Sequence, residues 1–178
     1  TTAQEIWNQT EGKVDGFAAH FALDRAVFHR EDAGIHCETE VLVSPEDDVE
    51  IRRLSLVNRS LRTRTLDLTT YLELSLAPHN ADRQHPAFNK LFIQTEAVPE
   101  HGALLAYRRL RAPDELPVFV AHRMTPDDDE PMRFETDRRV FIGRGRTLRD
   151  AMGARQEPGN TQGYVLDPIL SLRRRVTL

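Results

Sequence analysis

The most constraining feature of this chain is the run RTLDLTTYLELSL at residues 64–76. Leu66, Leu68, Thr70, Leu72, Leu74 and Leu76 share one parity, and Thr65, Asp67, Thr69, Tyr71, Glu73 and Ser75 take the other. A helix would scatter those leucines around its circumference. A half-buried strand lines them up along one face. The segment therefore predicts a long strand, and with it a partner strand and a second layer to cover the leucines.

Period-two alternation recurs on both sides of this run. Residues 49–58 alternate with a change of phase, since Val49 and Ile51 share one parity and Leu54 and Leu56 the other. A bulge near Arg52 and Arg53 would reconcile the two. Asn58, Arg59 and Ser60 then read as a turn into a hairpin with the leucine strand. Residues 35–43 alternate weakly and end at Ser44-Pro45-Glu46-Asp47-Asp48, where proline followed by acidic residues suits a type I turn. Further strands are expected at 17–23, 26–30, 90–97, 103–109, 117–123, 139–142 and 169–178. The total of about nine or ten short strands is the pattern of a sandwich or barrel. The best helical signal is a single turn at 147–151, with Thr147 as cap and Asp150 at the capping-box spacing. Asp127-Asp128-Asp129-Glu130-Pro131 reads as a solvated acidic loop. No internal repeat and no domain boundary is evident, so the expectation is one all-β domain over 1–178.

Composition narrows the classes of function. The chain has 178 residues, 39% of them apolar and 29% charged, which is enough to build one core. A formal charge of −4 gives no general attraction to nucleic acid or to an anionic membrane. No apolar run reaches the roughly 20 residues that span a bilayer. Cys37 is the single cysteine, so no intrachain disulfide forms, and in a strand it is expected to be packed and inert. The opening TTAQEIWNQTEG and the closing RRRVTL, which stops inside a strand-like run, read as the ends of a piece excised from a longer chain.

Candidate chemistry is sparse. The seven histidines (His20, His29, His36, His79, His85, His101 and His122) form no HxH or HExxH spacing, so no metal ligand set is assigned. Glu46, Asp47, Asp48, Glu73, Asp82, Glu96, Asp114 and Glu115 read as turn and rim charges, and none is singled out as a catalytic acid. No GxSxG nucleophile motif is present. Arg173, Arg174 and Arg175 fall in a strand, where alternate side chains point to opposite faces, so they read as a solvated or interdomain edge. The most interesting loop is FIGRGRT at 141–147. Gly143 and Gly145 allow a sharp turn close to a ligand, and Arg144 and Arg146 bring forked donors suited to phosphate, carboxylate or vicinal hydroxyls. The same residues also make a plain tight turn with exposed arginines.

Several strings, taken in order, carry a family resemblance. They are DRAVFHRED at 24–32, VSPEDDVEIRR at 43–53, LAP at 76–78, HPAFNKLF at 85–92, ETDR at 135–138, FIGRG at 141–145 and LDP at 166–168. Together they resemble the phosphorylase-like region of cyclic β-1,2-glucan synthases. Those belong to the cellobiose-phosphorylase family of inverting glycoside phosphorylases, formerly grouped as glycosyltransferases. The resemblance implies a galactose-mutarotase-like β-supersandwich that precedes a helical linker and an (α/α)6 barrel. It places the family's general acid in that barrel, with inorganic phosphate as co-substrate and no cofactor, so no catalytic residue is expected here. The implied partners are a β-glucan or glucosyl substrate, the chain's own C-terminal helical barrel and a second copy in a homodimer, with no nucleic acid and no membrane contact by this segment. The implied location is cytoplasmic, in a parent anchored in the inner membrane by upstream spans. Gly143, Arg144 and Arg146 are the candidate substrate-binding residues. Two other functions fit the same fold. A carbohydrate-binding module would use Trp7, Tyr71 or Tyr107 as stacking platforms. A mutarotase-like epimerase would need a His and a Glu converging as acid and base.

Overall fold

The computed structural model describes residues 16–125 and 131–178, with side chains from residue 18 onward. Its backbone is mostly antiparallel β-structure, as the alternation predicts. The chain divides into two compact units, Thr1–Leu66 with Val176–Leu178, and Asp67–Arg175.

In the first unit, β1 (Gly16–Phe21), β2 (Arg25–Asp32), β3 (Ile35–Val43) and β4 (Glu50–Asn58) form one antiparallel sheet in sequence order. The β3–β4 turn closes on Ser44, whose hydroxyl accepts the backbone N–H groups of Glu46 and Asp47. Cross-strand register places Phe21, Phe28, Val41, Leu54 and Leu56 on one face. The opposite face carries His20, His29, His36, Glu38 and Glu40. Glu40 is buried there, with its carboxylate held by Arg25 at 3.0 Å and Arg53 at 2.5 Å.

The β3–β4 register runs without interruption from Ile35↔Asn58 to Val43↔Glu50, so the bulge expected at Arg52–Arg53 is absent. Ile51 and Leu54 simply lie on opposite faces, and both are exposed, so neither has to be rotated toward a core. The expected hairpin between β4 and the leucine strand does not form either. Asn58 donates to the carbonyls of Arg62 and Leu178 and accepts from Ser60, which redirects the chain. Arg64 and Leu178 then exchange backbone hydrogen bonds at 2.9 and 2.8 Å.

The second unit holds two sheets. One orders β10 (Arg133–Asp137), β12 (Pro168–Thr177) and β5 (Thr65–Thr69), with β6 (Leu72–Glu73) also paired to β12. The other orders β11 (Gly163–Tyr164), β7 (Ile93–Val98), β8 (Ala103–Arg108) and β9 (Phe119–Arg123). Leu74, Leu76, Phe134, Leu170 and Leu172 from the first sheet's segments bury against Ile93, Leu104 and Ala106 from the second. Burial of apolar area on this scale, at about 25 cal/mol per Å², is what holds two sheets face to face. The leucine run breaks at Thr70 and Tyr71 into β5 and β6, where the Thr70 backbone and hydroxyl both bond Leu172. Parity survives the break, so Leu74 and Leu76 remain buried.

Residues 139–142 were expected as a strand and are instead helical, in α3 (Arg138–Ile142). Asp137 caps this turn by accepting the Arg139 backbone N–H at 2.8 Å. Phe141 and Ile142 are both buried, and the turn closes where the Gly143 backbone N–H donates to the Arg139 carbonyl at 2.9 Å. Strand β10 shows no alternation because both its faces are covered and its buried residues are mostly polar: Glu135, Thr136 and Asp137 are all buried. Helices α1 (His79–Gln84) and α2 (Pro86–Lys90) are too short to show a helical period. The turn at Leu148–Asp150 forms as the sequence predicts, with the Asp150 carboxylate accepting from the Thr147 backbone N–H and hydroxyl. Arg173 is not at a solvated edge. It is buried, and its guanidinium donates to Thr69 Oγ1, the Gln156 carbonyl and the Gly153 carbonyl. Most of the acidic loop at 127–131, and Trp7, lie outside the described residues.

This core predicts a sharp contrast between two leucines. Leu104→Ala, at a fully buried site, is expected to cost about 2–5 kcal/mol. Leu61→Ala, at a fully exposed one, should stay within about 0.5 kcal/mol. Urea denaturation followed by circular dichroism reads both.

Candidate functional site

Helix α3 leads directly into the glycine–arginine turn at 143–147, so what fixes α3 fixes the turn. Its N-terminus is tied by the Asp137 cap and by the Arg138 backbone N–H, which donates to the Asp167 carbonyl at 2.9 Å. Its buried face, Phe141 and Ile142, packs with Ala151, Ile169 and Tyr71. The Phe141 and Tyr71 rings stand 5.1 Å apart. Gly153 lies so close beneath Phe141 that a Cβ there would come within 2.3 Å of the ring.

A polar cluster fixes the same helix from the side. Tyr71 donates its hydroxyl to Glu73 Oε1 at 2.6 Å, and Arg138 Nε reaches both the Tyr71 oxygen (2.9 Å) and Glu73 Oε1 (3.0 Å). The other end of the Arg138 guanidinium approaches Asp167 at 3.5 Å, and Asp167 also accepts from Lys90 at 2.6 Å. Burial first, and then the bond to Glu73, push the Tyr71 hydroxyl up to about 12. The Tyr71 bond, followed by Arg138, holds the Glu73 carboxyl below its ordinary range. Each charge in the cluster has a partner, so these residues act as an anchor.

Past Ile142 the backbone turns at Gly143, with φ 86° and ψ 157°, a combination essentially confined to glycine. A Cβ at this position would also meet Met152 Sδ at 2.5 Å. Gly145 has φ +71° with open space around it. The three sequence-predicted residues therefore share one tight turn but differ in state. Arg146 is partly used internally, donating to the Asp150 carbonyl at 3.1 Å and standing 3.6 Å from its carboxylate. Arg144 is exposed and has no hydrogen bond or ion pair among the described residues.

Sequence reasoning missed Tyr71, Glu73, Lys90, Arg138 and Asp167 as a group. Residues 71, 90, 138 and 167 lie far apart in the chain, and no local spacing joins them. The available signal was that Lys90, Arg138 and Asp167 sit inside three of the strings that carry the family resemblance. The epimerase reading asked for a His and a Glu brought together. In the first unit, His29 Nδ1 stands 3.3 Å from Glu38 Oε2 on the sheet face, with His36 stacked 6.1 Å from His29. Among the described residues no group of three or more His, Cys, Asp or Glu side chains is arranged to hold a metal ion. No helix among them is long and apolar enough to cross a membrane.

Antiparallel sheets, a leucine-lined interior and an anchored arginine turn define the second unit as a β-sandwich with an edge loop. Over residues 2–178 the chain matches the supersandwich domain of glycosyl hydrolase 94, and it belongs to that family. It is similar to the cyclic beta-(1,2)-glucan synthase NdvB of Rhizobium meliloti (strain 1021), with 39% identity over 163 residues. That alignment covers 88% of this chain and spans 6% of the length of the relative.

Two predictions test the anchor and the turn. Because the Tyr71 value is raised in the folded state, the stability it contributes is present below its ordinary value of 10.0 and is lost as pH rises toward about 12. Tyr71→Phe should abolish that alkaline step in a series of thermal melts. Gly143→Ala should cost about 1–3 kcal/mol through its backbone conformation, measurable by urea denaturation.

Proposed function

We propose that this chain is a non-catalytic, carbohydrate-associated domain of a cyclic β-1,2-glucan synthase-like glycosyltransferase or glycoside phosphorylase. In this reading the whole 1–178 segment works as one β-sandwich domain and packs on a helical (α/α)6 barrel of the same protein. That barrel supplies the general acid, and inorganic phosphate serves as the nucleophile. The loop at 143–147 lies on the rim of the barrel's sugar site. Gly143 sets the turn, Arg144 donates to a glucan hydroxyl or to phosphate, and Arg146 braces the loop through Asp150.

One observation carries the reading: a free guanidinium at Arg144 stands on a turn whose root is held at many points. An arginine kept only for solubility needs no such root. A guanidinium that must meet a ligand at one place gains from it, because little motion is left to freeze on binding. Similarity to a cyclic glucan synthase supports a glucan as the ligand class.

The test uses the complete protein. Arg144→Ala should lower kcat/KM for β-1,2-glucan by about 10- to 100-fold, the range for a lost charge-assisted hydrogen bond, and Arg146→Ala by less. Wild-type kinetics in Arg144→Ala would overturn the loop's role. The 178-residue chain alone should show no phosphorolysis of β-1,2-glucan, and turnover by it would overturn the non-catalytic assignment. A second reading, sugar epimerisation at the His29–Glu38 pair, has the 3.3 Å approach in its favour. It predicts anomer interconversion above the buffer rate, followed by polarimetry.

A further inference from the structure

The outer face of the β11–β7–β8–β9 sheet carries a row of aromatic side chains. Register sets Tyr164 opposite Gln94, Gln94 opposite Tyr107, and Tyr107 opposite Phe119. Directly opposed residues of an antiparallel sheet share a face, so these four side chains line up across all four strands. Ile93, Thr95 and Ala106, their neighbours along β7 and β8, are buried on the opposite face, which leaves the row on the outside. Tyr164 is 64% exposed and Phe119 58%. The Tyr107 and Phe119 rings stand 5.9 Å apart with their planes tilted by 40°, so they form one continuous aromatic surface.

A solvated sheet face does not need such a row. The outward side of an antiparallel sheet is ordinarily polar. Here three of the four positions are aromatic, and they include two of the chain's three tyrosines. The Tyr107 and Tyr164 hydroxyls and the Gln94 amide make no hydrogen bond within the described residues. The row therefore offers ring faces and spare polar tips together, with no ionised group among its four members. The next row along the same face, Glu96, Leu105 and Ala121, is aliphatic with one acid on β7.

These features select the chemistry of the ligand. An ion finds no opposite charge in the row. A purely apolar ligand leaves the amide and the hydroxyls unmatched. A stable protein partner needs roughly 800 Å² from each side, more than a strip one residue wide supplies. A neutral sugar chain meets every feature. The C–H faces of its rings stack on the aromatic faces, and its hydroxyls donate to and accept from the Gln94 amide and the tyrosine hydroxyls. Strands lie about 4.8 Å apart, so the row is roughly 14 Å long, enough for more than one pyranose ring. We propose that the Tyr164–Gln94–Tyr107–Phe119 row is a glucan-binding platform, on residues separate from the 143–147 turn, that holds two or more sugar units lying across the strands. The proposal rests on the carbohydrate reading above and adds a place where the domain grips the glucan away from the reacting end. An open platform of this kind is expected to bind on the order of millimolar.

The test is an amide chemical-shift titration of the ¹⁵N-labelled 178-residue chain with the β-1,2-linked glucose disaccharide, with the linear tetrasaccharide of the same linkage, and with inorganic phosphate. Saturable shifts at Gln94, Tyr107, Phe119 and Tyr164 are expected with both sugars, tighter with the tetrasaccharide, and none there with phosphate. Tyr164→Ala and Phe119→Ala, at exposed positions where the fold is not at risk, should each weaken tetrasaccharide binding about three- to tenfold with little change in melting temperature. Absence of tetrasaccharide shifts in the row at tens of millimolar overturns the proposal. So does equal affinity for the two sugars, which would mean that only one ring is held. Broadening of the same four residues with protein concentration and no response to sugar would make the row a contact between copies, and also overturns it. The kinetics of Arg144→Ala in the complete protein report on the turn separately. Wild-type kinetics there together with tetrasaccharide shifts in the row overturn the turn's role and support the platform, and impaired kinetics without row shifts do the reverse.

Discussion

The second unit depends on burying one leucine face between two sheets. Leu74, Leu76, Leu170 and Leu172 meet Ile93, Leu104 and Ala106, and the apolar area lost to water there is the largest favourable contribution in the unit. That contact is non-directional and does not select a register by itself. Buried polar pairs supply the direction. Thr95 and Thr136 bond at 2.8 Å, Thr70 and His122 at 2.8 Å, and Glu135 accepts the backbone N–H groups of Thr136, Asp137 and Gly159. A slip of one residue would leave those groups buried and unpaired, so the apolar contact provides stability and the polar pairs provide uniqueness.

The loop inherits its rigidity from this frame by a short chain of contacts. Arg173, buried on β12, holds the carbonyls of Gly153 and Gln156. Gly153, lacking a side chain, lets that turn come up against Phe141. Phe141 packs on Tyr71, and Tyr71 joins Glu73 and Arg138 at the root of α3. Each link is local, and the result is a glycine turn with one arginine spent on bracing and one left over. The first unit shows a different economy. Its sheet satisfies its backbone along three ladders, yet Phe21 and Val43 on one face and Val57 on the other remain exposed.

Much of the frame was legible from residue order because strands write their burial as period two. Leu66 to Leu76 announced the inner face, residues 35–43 marked β3 to the residue, and Thr147 with Asp150 marked a capped turn. Where polar side chains point inward, the alternation vanishes. Glu135, Thr136 and Asp137 look like a loop on paper, and their burial becomes tolerable only once partners from residues 95, 139 and 159 arrive. Residues 139–142 misled for a related reason, since a short apolar run is compatible with either a strand or a helix until the cap at Asp137 decides.

The sequence by itself determined the all-β class, the sheet-facing leucines and the glycine–arginine turn, because each depends on the chemistry of neighbours within a few residues. Tertiary structure decided which strands pair, that α3 is a helix, that Arg173 is interior, and that Arg144 is free while Arg146 is engaged. It also brought Tyr71, Glu73, Lys90, Arg138 and Asp167 to one place, and left Nε and Nη2 of Arg108 covered without a hydrogen-bond partner among the described residues. Hydrogen-bond satisfaction is a property of distance in space, and no periodicity along a chain encodes which donor will be left without a partner.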